Sequence, residues 1–142
     1  MQKYSIFWIE EEFCYHYFYR SEILYRFLNE YLSYTSRTDL LSQFTFVTRN
    51  LPYNTLLTHF KNYHGDSLKL EMTEKGLVME KGNSSVCLEL FDRYITVQAF
   101  SVEEADRLLF QCLKSFDPSF FIIESETTNC GWITPIKKEV LL

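Results

Sequence analysis

The chain has 142 residues, 46% of them apolar and 18% aromatic, with a formal net charge of −5. A chain of this length points to one domain able to bury a core without disulfide or metal staples. Its acidic balance and lack of any Lys/Arg cluster argue against direct nucleic-acid contact and against an anionic membrane surface. No apolar run approaches the roughly eighteen residues needed to span a bilayer, and the N-terminus shows no signal-peptide core. The four scattered cysteines, Cys14, Cys87, Cys112 and Cys130, read as reduced, small apolar residues, so a cytoplasmic location is expected.

Residues 4–9 are short, β-prone and almost continuously apolar, the pattern of a strand covered on both faces. Glu10, Glu11 and Glu12 follow and favour a helix N-terminus through the macrodipole. The helix they open, ending around Arg20, holds five aromatic residues in the seven positions from Phe13 to Tyr19. At about 100° per residue, Phe13 and Tyr17 share one stripe, Cys14 and Phe18 a second, Tyr15 and Tyr19 a third. One helix face cannot bury all three.

Ser21 is a reasonable N-cap for a second helix over residues 22–34, with Ile23, Leu24, Phe27, Leu28 and Tyr31 as its buried stripe. The segment 35–38 is turn-like. Residues 39–48 read as a helix burying Leu40, Leu41, Phe44 and Val47, or as a strand with Phe44 and Phe46 on one face. The cap and the Leu pair favour the helix, which leaves Gln43 and Phe46 outside the core. Pro52 breaks the chain, and residues 53–63 read as a helix with Leu56, Leu57 and Phe60 inward.

From residue 67 the period changes to two. Segments 68–72 and 77–79 form a hairpin about residues 73–76, and 85–91 and 94–100 flank the turn at Asp92 and Arg93, an antiparallel meander. Ser101 and Glu104 form a capping box. The helix it opens buries Ala105, Leu108, Leu109, Cys112, Leu113 and Phe116, and stops at Pro118. Residues 120–123 are a last core strand, 125–129 a polar loop, and 131–136 lead to a charged and apolar tail. The expected architecture is a single α+β domain, with an N-terminal strand and helices packed on a mostly antiparallel sheet.

Catalytic patterns are sparse. Cys14 and His16 suggest a nucleophile and base, but two residues apart on a helix they point about 200° from each other. His59 and His64 lack metal-ligand spacing and read as solvent-facing or capping groups. Four unclustered glycines provide no phosphate loop or dinucleotide fingerprint. No cofactor or metal is expected. The aromatic stripes are either ordinary core or surface anchors of the kind that dominate interface energetics.

Three segments carry a family resemblance. Tyr4, Ile9, Glu11, Glu12, Phe13, His16, Tyr17, Phe18 and Arg20 resemble the opening of the sporulation inhibitor of replication protein (SirA) family. The junction from Thr48 to Pro52, and the block Cys130, Gly131, Trp132, Pro135 and Lys137, match that family's later motifs. The resemblance implies a regulatory protein and not an enzyme, made early in sporulation. It implies binding to the N-terminal domain (domain I) of the initiator DnaA, as a monomer that pairs with that domain, without touching DNA. Position by position it assigns partner contact to Phe13, Tyr17, Gln43 and Phe46, with Cys14 and Phe18 turned inward. Tyr19 stands where a small residue is usual, and Cys130 where an aromatic is.

Two rival expectations come from other classes. A small ligand-binding or hydrolase-like domain would use Cys14, His16 and the acidic triplet, in a concave pocket with a perturbed thiol. A homo-oligomer would bury the aromatic face against itself.

Overall fold

In a computed structural model the described residues are 1–34 and 36–133. Their centre is β1 (Gln2–Trp8), which pairs antiparallel with β5 (Tyr94–Ala99) on one side and β6 (Phe120–Glu124) on the other. The meander β2 (Lys69–Met72), β3 (Gly76–Lys81) and β4 (Ser84–Leu90) extends the sheet beyond β5, and β7 (Cys130–Trp132) extends it beyond β6. The order is β2-β3-β4-β5-β1-β6-β7, with each pairing antiparallel.

Alternation along β1 sorts its apolar run onto two faces. Tyr4, Ile6 and Trp8 join one buried cluster, Phe7 and Ile9 another. The first lies under α4 (Tyr53–His64) and the helical run of α5 (Val102–Ala105), a π-helical segment Asp106–Phe110 and α6 (Gln111–Phe116). The second lies under α1 (Glu11–Tyr17), α2 (Ser21–Ser33) and α3 (Thr38–Val47). The fold is α+β, and residues 39–47 are helical.

Several expectations need correction. The first helix ends at Tyr17, because the Arg20 N–H bonds to the Tyr17 carbonyl at 2.9 Å and closes a turn three residues before the expected end. Ser21 is already inside α2, and Arg20 holds the cap position with no side-chain cap bond. Ile23 and Leu41 are exposed, at 41% and 45%. Each lies about a quarter turn or more from the axis of its helix's buried pair, Leu24 with Leu28 and Leu40 with Phe44. Cys87 is exposed, on the open face of β4. His64 is buried, and its Nε2–H donates to the Leu108 carbonyl at 2.7 Å. His59 Nε2–H donates to the Cys112 carbonyl at 2.9 Å, in the first turn of α6.

In the helical run after Ser101, the cap forms, with Ser101 Oγ accepting from the Glu104 N–H at 3.2 Å. The π turn had no signal in the 3.6 periodicity. Its extra residue shifts the helical phase, so Phe110 is buried alongside Leu108 and Leu109 and meets Tyr4 edge-on at 5.2 Å. The short strand β7, over Cys130–Trp132, has no alternating pattern to mark it. The turn-like residue 35 and the tail from 134 onward, including Pro135 and Lys137, lie outside the described residues.

Candidate docking site

The geometry of α1 and α3 is set by an isolated bridge. Ile9, just past β1, pairs with Thr48, just past α3. Around it the Glu10 N–H donates to the Val47 carbonyl at 2.8 Å, and the Arg49 N–H to the Trp8 carbonyl at 2.7 Å. The start of α1 is thereby tied to the end of α3. Phe13, three residues after Glu10, comes to lie against Phe46, one residue before Val47.

Two cations hold this junction. The Arg49 guanidinium sits 3.7 Å over the Trp8 ring and faces Glu10 at 3.5 Å. Arg93 donates to the carbonyls of Thr45 at 3.0 Å and Thr48 at 2.6 Å, satisfying the C-terminal end of α3 where positive charge is favoured. Inside, Phe44 stacks on Tyr31 with ring centroids 3.9 Å apart and meets Phe7 edge-on at 6.0 Å. These fix the inner stripe of α3, so its outer flank is fixed as well.

On that flank the rings form a connected set. Phe13 meets Phe46 edge-on at 5.4 Å and stacks with Tyr17 at 6.3 Å, and His16 lies edge-on to Tyr17 at 4.7 Å. Phe46 is 67% exposed. Gln43, one turn earlier on α3, is exposed on the same flank. The structure therefore brings Phe13, Tyr17 and Phe46 together, with Gln43 beside them.

The division of stripes on α1 differs from expectation. Phe13, Cys14, Tyr17 and Phe18 are all half-buried, and Phe13 and Tyr17 pack by their inner edges on the cluster of Phe7, Ile9 and Phe44. A helix of seven residues beside α3 puts both stripes at the boundary of the core. Phe13 and Tyr17 are thus partly core and partly surface; Phe46 is surface.

Cys14 and His16 do not form a pair. The Cys14 thiol points inward and donates to the Ile9 carbonyl at 3.6 Å. It lines a cleft of about 250 Å³ with Phe18, Arg49, Asp117 and Trp132, whose lining does not include His16. Burial above all pushes the Cys14 thiol above its ordinary value; a hydrogen bond with Ser119 opposes it most, Asp117 and Glu11 add to it, and Arg49 opposes it least. That direction disfavours the thiolate a nucleophile needs. No cluster of three metal-ligating side chains occurs among the described residues, and no described helix is long and apolar enough to cross a membrane.

Sequence reasoning missed Arg49 and Arg93, which position the site without belonging to it. Each acts through backbone carbonyls or rings distant in sequence, so no local pattern marks it.

Known proteins bear on this arrangement. Over 144 aligned residues, covering 95% of each chain, the protein is 22% identical to the sporulation inhibitor of replication protein SirA of Bacillus subtilis (strain 168). The profile of the family described as sporulation inhibitor of replication protein SirA matches residues 2–137. The chain, from its opening strand past β7, belongs to the SirA family.

Proposed function

We propose that this protein inhibits replication initiation during sporulation by binding the N-terminal domain of the initiator DnaA. Occupying that domain prevents the initiator from assembling productively at the origin. The family membership supports the replication role, and the likeness of residues 4–20 supports the partner. The observation that carries the reading is the contact of Phe13 with an otherwise exposed Phe46.

Large rings held rigid by their own fold lose little entropy on docking and remove much apolar surface from water. Phe46 supplies the protruding ring, Phe13 and Tyr17 its floor, and Gln43 a polar neighbour able to bond a partner's backbone. Such a centre with a polar rim is the usual anatomy of an interface hot spot. A net charge of −5 fits a protein that acts on the initiator and not on origin DNA.

Calorimetric titration of the full chain into the isolated N-terminal domain of DnaA tests this. The expected result is saturable one-to-one binding. No binding at micromolar concentrations of both proteins overturns the proposal.

A further inference from the structure

A second cleft, of about 650 Å³, opens on the α4 side of the sheet, away from the docking helices. Four segments converge on it: the end of α4 with Tyr63 and His64, the turn after it with Ser67, the connection from β3 to β4 with Lys81 and Gly82, and the π turn with Arg107 and Leu108. Its frame is fastened from both sides. The buried His64 ring donates its Nε2–H to the Leu108 carbonyl at 2.7 Å, and the Lys81 ammonium donates to the His64 carbonyl at 3.2 Å. Arg107 donates to the hydroxyl of Ser84, the first residue of β4. Gly82, at φ 63°, turns the chain between those strands, with open space where a side chain would stand. π turns are rare and recur at functional sites, and this one carries both Arg107 and Leu108.

The charge of this cleft is opposite to that of the molecule. The chain has 19 Asp and Glu against 14 Lys and Arg, yet the cleft is lined by Lys81 and Arg107 and by no carboxylate. Among the described residues, no carboxylate comes within ion-pair distance of either cation. Their partners are neutral and occupy one donor each, where an ammonium has three and a guanidinium five. Lys81 also suits the C-terminal end of α4, but roughly half a unit of dipole charge does not balance two cations. Two cations beside the Ser67 hydroxyl match the charge and the acceptors of a phosphoryl group; a carboxylate needs only one. A nucleic-acid backbone needs a longer basic stripe than two residues make.

From the unbalanced charge, the hydroxyl and the π turn, we infer that this cleft binds a small phosphorylated ligand. Lys81 and Arg107 hold its phosphoryl oxygens, and Ser67 donates beside them. The site stands apart from Phe46 and does not depend on the function proposed above.

Calorimetric titration of the full chain with pyrophosphate at fixed ionic strength tests this, beside the full-length variants Lys81→Gln, Arg107→Gln and Lys114→Gln. Lys114, exposed on α6 and outside the cleft, controls for net charge. Saturable one-to-one binding is expected, weakened about tenfold in each cleft variant and unchanged in Lys114→Gln. Acetate at the same ionic strength is expected to give no saturable heat. No saturation by pyrophosphate up to about 5 mM, full affinity in the cleft variants, or equal weakening in all three variants overturns the inference. Acetate binding as tightly as pyrophosphate overturns it too. An unfolding curve accompanies each variant, because Lys81 also bonds the end of α4. Should Lys81→Gln fail to fold, Arg107→Gln, at an exposed position, decides by the same criterion.

Discussion

The two faces of the sheet use aromatic residues to different ends. Under α4 and the run from Val102 to Phe116, the rings of Tyr4, Trp8, Phe60, Phe110 and Phe120 are buried, Tyr53 and Phe116 pack partly against them, and Tyr63 stands 46% exposed. Under α1, α2 and α3, only Phe7, Phe44 and Phe121 are buried, while Phe13, Tyr17, Phe27 and Tyr31 pack only partly against them. Beyond these, Tyr15, Tyr19, Tyr34 and Phe46 stand exposed. Each helix buries a single stripe, so three helices richer in rings than their stripes can hold leave some at the seams. The first face is spent on stability. The second retains a surface that the bridge at Ile9 and Thr48 holds rigid.

Substitutions on the two faces should separate accordingly. The largest effect is expected on the closed face: Phe120→Ala removes a fully buried ring stacked on Trp8 and should cost about 3–5 kcal/mol in urea unfolding. Within the same layer, a Cβ at Gly76 would lie 2.0 Å from the Leu88 carbonyl oxygen. Gly76→Ala should therefore cost about 3 kcal/mol, since backbone cannot yield as a side chain can.

Between the faces, Arg93→Ala leaves the Thr45 and Thr48 carbonyls without their charged donor. A loss of about 1.5 kcal/mol is expected, together with weaker docking because α3 carries Phe46.

Cys112 gives a pH test confined to the closed face. Burial pushes its thiol up to about 12 from an ordinary 9.0. The unfolded chain releases this proton first, so the contribution of this thiol to stability should be constant below pH 8 and fall as pH rises above 9. The loss attributable to this thiol is roughly 1.4 kcal/mol by pH 10. Cys112→Ala should lack that component, as seen by comparing unfolding curves at pH 8 and 10.

The smallest stability change belongs to the open face. Phe46→Ala should shift unfolding by no more than about 0.5 kcal/mol.

Much of this arrangement is legible in the sequence because it depends on local periodicity. The double-faced burial of β1 and the meander follow from spacing; for residues 39–48 spacing fits helix and strand alike, and the cap and the Leu pair favour the helix that is found, with its outward flank. What spacing misses are features made by distant segments. The contact of Phe13 with Phe46 needs the bridge between Ile9 and Thr48, which joins residues far apart in the chain. Phe110 is buried by a π turn that breaks the 3.6 period. His64 is buried because it meets a carbonyl of that turn. A wheel likewise assigns directions but not depth, so the half-burial of Phe13 and Tyr17 lies beyond it, while Ile23 and Leu41 are exposed because they sit at the margin of their helices' buried stripes.

The central claim is that the ring standing clear of the open face serves recognition. The direct measurement is the affinity of Phe46→Ala for the isolated DnaA N-terminal domain, beside its unfolding curve. A loss of about 2 kcal/mol, near thirtyfold, with stability retained is the predicted result. Wild-type affinity in a Phe46→Ala chain that remains folded would contradict the account.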